Sequence, residues 1–128
     1  MRKIVYLWVF MLAISCNTDP KPISYGTETC NFCAMTIVSE GFAAQAVSTK
    51  GKQFYYDSIE CMVNDLQQKK VETAVLHVTD YKNPGEMLNV EDAFFIINDS
   101  INSPMGANLA AVKKDVNSVK NAGILNWD

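Results

Sequence analysis

Two cysteines stand three positions apart in "CNFCAMTIV", and a methionine follows the second by two, giving Cys30, Cys33 and Met35. Thiolates and thioethers are soft ligands that suit Cu(I); thiolates also suit zinc and iron–sulfur clusters. Two cysteines at this spacing can point into one site from a tight turn. The methionine favours copper over zinc, because zinc seldom takes a thioether. A third thiol, Cys61, follows later in "DSIECMV".

Other chemistries compete for the same residues. Cys30 and Cys33 could form a disulfide, or a thiol–disulfide redox pair of the C-x-x-C kind. The redox motif normally ends a strand and opens a helix, whereas this one follows a polar stretch and precedes a strand pattern. A structural zinc site could draw on Cys30, Cys33, Cys61 and His77, the only histidine. A lone histidine in a strand is more often simply packed or solvated. Met35 could simply be core, and Met62, on an apolar helical stripe, reads as core; Met105 is ambiguous, its stripe pointing to core and its place at a helix mouth to the site.

The start of the chain bears on the thiol count. Arg2 and Lys3 precede an apolar run from Ile4 to Ile14. A bilayer span needs about 20 apolar residues, so the run is too short to cross. Residues 1–15 have the pattern of a secretory signal peptide. Ala13-Ile14-Ser15-Cys16 resembles a lipoprotein cleavage box, which makes Cys16 the candidate lipidation site and a membrane anchor. Residues 16–29 then form the anchor and a flexible tether, since "NTDPKPISYGTET" suits neither helix nor strand. Residues 30–128 form the metal-binding domain. Lipid on Cys16 leaves three cysteines, an odd number that one disulfide cannot absorb.

Cleavage before Cys16 leaves 113 of the 128 residues, with nine basic side chains against fourteen acidic, a net charge of −5. Arg2 is the only arginine and no basic block exists. Nucleic-acid binding is therefore not expected.

Elements must hold these residues in place. Met35–Ser39, Phe42–Thr49 and "KQFYYD" read as strands. A helix follows, with Asp57 as cap and Glu60 completing a capping box. Ile59, Met62, Val63 and Leu66 form its apolar stripe, and Cys61 lies about 200° around from Ile59, off that stripe. "ETAVLHVTDY" and "DAFFIIND" are further strands; the second is apolar on both faces and so central. "NSPMGANLAAVKKDVNSVKNAG" reads as a second helix, capped by Ser103, with Met105, Leu109, Val112, Val116 and Val119 on its stripe. Ile124–Trp127 is an extended tail. The order predicts an α+β domain of two ββα-like halves, mostly antiparallel, with two main helices.

The set "CNFCAMTI", "FYYDSIECM", "HVTDY", "SPMGANL" and "GILNW", after a lipoprotein-like start, resembles the NosL-type copper chaperone lipoproteins, accessory to nitrous oxide reductase. The resemblance implies paired ββα units and a non-enzymatic, lipid-anchored protein on the periplasmic side. It implies Cu(I) as cargo and a copper enzyme, or its maturation machinery, as the receiving partner. The family's cysteine-x-methionine motif falls on Cys33 and Met35, the first-choice ligands. Cys30 matches a cysteine present in many members, and Cys61 and Met105 match the helix-opening motifs. Many members carry glycine where this chain has Ala34.

Overall fold

The computed structural model describes residues 15–115, 123–125 and 127. The proposed signal peptide, apart from Ser15, lies outside the described residues. Among the described residues the fold has two antiparallel sheets and one α-helix. In chain order the elements are β1 (Ala44–Ser48), β2 (Gln53–Tyr56), α1 (Ile59–Lys69), β3 (Thr73–Thr79), β4 (Met87–Asn89), a 3-10 turn (Val90–Asp92), β5 (Ala93–Ile97), β6 (Leu109–Lys113) and β7 (Gly123–Leu125). The first sheet runs β2-β1-β3-β4 and the second β6-β5-β7. A parallel bridge between Asp80 and Ala111 joins them, and the Tyr81 amide donates to the Ala111 carbonyl at 2.8 Å.

The register shows which face forms the core. Ala44 pairs with Tyr56 and Val78, and Ala46 with Phe54 and Leu76. Alternate residues share a face, and this one joins Ile59 and Met62 of α1 in the hydrophobic core. Burying a large side chain such as Ile59 or Met62 contributes roughly 1.5–3 kcal/mol, an alanine methyl less than about 1 kcal/mol. Gln45 and His77, paired with one another, point to the opposite face.

That opposite face meets the segment expected to be a tether. It carries no helix or strand, as its composition dictates, yet it is hydrogen-bonded to the body. Gln45 Nε2 donates to the Lys21 carbonyl at 2.7 Å, and Gln53 Nε2 to the Asp19 carbonyl at 3.1 Å. Ile23 and Tyr25 pack against the core. Farther back, the Asn17 carbonyl lies 2.5 Å from where a Cβ on Gly51 would stand. Gly51 also has φ +84°, a conformation that costs other residues energy. Gly51→Ala should therefore cost about 1–3 kcal/mol. Urea unfolding measures this, and a change within about 0.5 kcal/mol, the range of ordinary surface substitutions, would remove the importance given to this contact.

Several expectations need correction. Ser58, not Asp57, caps α1: its side chain accepts from the Cys61 amide. Met35–Ser39 is not a strand; only an isolated bridge between Thr29 and Thr36 forms there. The largest error is the second helix. Leu109–Lys113 is a strand paired along its length with β5, and Gly106 and Asn108 before it have φ of 77° and 56°. These left-handed residues break any helix that Ser103 and Pro104 might open. The alanines after them are chosen for small size: Ala110 and Ala111 are both fully buried. Helix propensity is a weak prior, and sheet pairing overrides it. Val116 and Val119 lie outside the described residues. The α+β class stands, with β5 central in its sheet as its two apolar faces required, but only one main helix is present among the described residues.

Candidate metal centre

The cysteine loop is held by its own backbone. The Cys30 amide donates to the Met35 carbonyl at 2.8 Å, and the Ala34 amide to the Cys30 carbonyl at 3.1 Å. Closing so short a loop puts Ala34 at φ 61°. Glycine takes that conformation without a Cβ penalty, so the glycine that the resemblance expects here would suit this backbone better than alanine. Asn31 fixes the loop to β2: its amide donates to the Tyr55 carbonyl, and its Oδ1 accepts from the Tyr55 amide at 2.7 Å.

Cys61 arrives from the first turn of α1. It lies off the Ile59–Met62–Leu66 stripe, as its helical angle requires, but it is fully buried because the cysteine loop covers that side. The sulfur atoms of Cys30, Cys33 and Cys61 all lie within 4.8 Å of one another. All three thiols are free. Cys30 and Cys61 are buried and Cys33 is half-buried, so the group opens to solvent on the Cys33 side.

The three thiols differ in acidity. Burial pushes Cys30 up, but backbone amides of Cys33, Asp57 and Phe32 donate to its sulfur, and the net effect is a lowered pKa. Burial pushes Cys61 up to about 12, against the opposing Ser58 hydrogen bond, and its sulfur neighbours push the same way as burial. Cys33 is also raised, first by burial and then by Cys30, although the Met35 amide donates to its sulfur. Cys30 is thus the natural first thiolate, and a cation among the three would displace protons from the others.

The structure does not bring every candidate together. Met35 and Met105 are exposed residues, at 55% and 45%. Met105 occupies a turn closed by the Gly106 amide donating to the Ser103 carbonyl. Ser103 ties that turn to the cysteine-bearing helix, its hydroxyl donating to Glu60 Oε1 at 2.9 Å. His77 is on the other sheet face, in a groove with Pro22, Tyr25, Gln45 and Met87. The four-ligand zinc set that includes His77 is therefore not assembled. Burial lowers the His77 pKa. Cys16 is exposed.

Two features escaped the sequence reading. Glu60 bonds to Ser103 and not back to the helix cap, so no capping box forms. Asp57 is buried, its carboxyl raised first by burial and then by Glu60. Asp57 Oδ1 and Glu60 Oε2 have no hydrogen-bond partner among the described residues. Spacing within the helix could not reveal a partner 43 positions away.

Fold and site together define a small α+β domain with a soft, three-thiol cluster able to hold a metal at the mouth of the one long helix among the described residues. The chain belongs to the NosL family, which it matches over residues 22–119. It is also similar in fold to the crystal structure of the copper chaperone NosL from Shewanella denitrificans, with 18% identity and a TM-score of 0.62. That likeness covers 75% of this chain and 79% of the other. Comparison with curated proteins gives no match.

Proposed function

We propose that this chain is a Cu(I) carrier, not an enzyme, that receives copper outside the cytoplasm and passes it to a copper enzyme or its maturation machinery. Nitrous oxide reductase is the expected destination. The observation that carries this reading is the three sulfur atoms within 4.8 Å, with burial decreasing toward Cys33. Soft sulfur donors favour Cu(I). Cys33 is the outermost thiol ligand, and Cys30 and Cys61 form the inner pair. Met35 and Met105 are the exposed thioethers that complete or hand over the site. Residues 1–15 are removed on export, and lipid on Cys16 holds the protein to the membrane. Among the described residues no helix is long and apolar enough to cross one.

Anaerobic titration with Cu(I) and with Zn(II), each against a competing chelator, tests the assignment. Copper should bind far more tightly than zinc. If Cys33→Ser and Met35→Leu both bound copper as tightly as the parent chain, the ligand assignment would fail. Zinc bound in preference, with unfolding on its removal, would favour a structural zinc domain instead.

Proton release gives a second test. Cys33 and Cys61 carry raised pKa values and are protonated near neutrality. Copper must displace those protons, so its apparent affinity should rise with pH, by about tenfold per unit for each proton displaced. Titrations across roughly pH 6 to 8 read the slope directly, and a flat profile would argue against thiol ligation.

A further inference from the structure

We propose that the end of the domain bearing Lys50, Lys52 and Lys70 is a membrane-facing surface that takes the anionic phosphates of the bilayer holding the anchor. It rests on the reading that Cys16 is lipidated. Lys50 and Lys52 flank Gly51 in the turn between β1 and β2, and Lys70 is the C-cap of α1. All three border one hollow, together with Phe54, Val71 and Glu72. Their side chains are exposed. Lys52 lies over the Phe54 ring at 5.0 Å, and the neighbouring Lys69 is paired with Asp65 at 2.7 Å. Glu72 is the one acid lining the hollow, so this end remains positive.

The anchor emerges at the same end. The Asn17 carbonyl lies against Gly51 between the two lysines, and Asn17 directly follows Cys16. The bilayer is therefore the surface these lysines must face. The processed chain carries −5 overall, so an anionic membrane repels most of it and attracts this end. Attraction acts within a Debye length, about 8–10 Å, and a lipid on Cys16 keeps the turn inside that range.

The orientation has a functional result. The lysines stand at the C-terminal end of α1, and the thiols at its N-terminal end. Eleven helical residues separate the two by about 16 Å. β2 spans the same two ends in the opposite chain direction, from Gln53 beside the lysine turn to Tyr55, hydrogen-bonded to Asn31 of the cysteine loop. With the lysines on the headgroups, the metal pocket faces away from the membrane toward a soluble acceptor.

Amine footprinting by mass spectrometry tests this on the mature protein, bound to phosphatidylcholine vesicles with or without phosphatidylglycerol. Lys82 and Lys113, both exposed, serve as internal references. Lys50, Lys52 and Lys70 should lose reactivity several-fold relative to the references on the anionic vesicles alone, and regain it in high salt. Lys50→Glu with Lys52→Glu should abolish the protection at Lys70. Uniform reactivity, or equal protection on both vesicle types, would overturn the proposal. The same spectra show whether Cys16 carries lipid. If it does not, the anchoring reading fails on its own. The processed chain's sedimentation with anionic vesicles at low salt then decides the surface, and absence of binding overturns it.

Discussion

Cys33→Ser should weaken Cu(I) binding by at least about 100-fold while leaving the fold intact. Removing only a supporting hydrogen-bond partner at a metal site already costs about 10–100-fold, and on the proposed assignment this change removes a ligand. Cys33 separates binding from folding because it is half-buried, whereas Cys30 and Cys61 are buried. Serine at either inner position should weaken copper binding and also lower thermal stability. Competition titration of the three single variants, with a melting curve for each, distinguishes these cases. If Cys33→Ser kept the parent affinity while the inner variants lost it, copper would sit deeper than proposed.

Asp65→Ala should destabilise the domain by about 2–3 kcal/mol. Asp65 is 2% exposed and lies on the buried side of α1, where its Oδ2 accepts from the Tyr56 hydroxyl at 2.8 Å. Burial, then Asp65, drives the Tyr56 pKa upward, so the phenol stays protonated and donates. Truncating Asp65 strands a buried hydroxyl, at about 1–3 kcal/mol. It also removes the pair with Lys69, worth about 0.3–0.5 kcal/mol. For a domain of this size, each kcal/mol moves Tm by roughly 4–8 °C. Tyr56→Phe keeps the ring and loses a bond to a charged acceptor, about 1.5–3 kcal/mol. The double variant should cost less than the two single changes combined, because both break the same contact. An Asp65→Ala chain melting with the parent would show that the contact carries no stability.

Strands β1 to β3 and α1 were legible because local signals agreed there. Alternation marked β1, β2 and β3, and the stripe through Ile59 and Met62 marked the helix. The region after Ser103 was misread because Leu-Ala-Ala-Val fits either period, and only pairing with β5 decides it. β4 went unseen, since three residues leave no pattern. At the site, residue chemistry singled out the three cysteines, but their convergence depends on a loop docked to β2 and a helix start meeting in space. Asp65 shows the limit most plainly: an acid on a helix reads as solvated until its buried tyrosine partner is seen.

The one-sided opening of the thiol pocket has a kinetic consequence. With Cys30 and Cys61 buried and Cys33 half-buried, an ion among the three would be approached from the Cys33 side. On the proposed function, transfer would proceed by exchange of one bond at a time, the acceptor's first donor entering before the last inner thiol leaves. Its observed rate should climb in proportion to acceptor concentration, while spontaneous loss into buffer stays slow. A pocket of this shape would keep its ion in the absence of a recipient and yield it on contact with one.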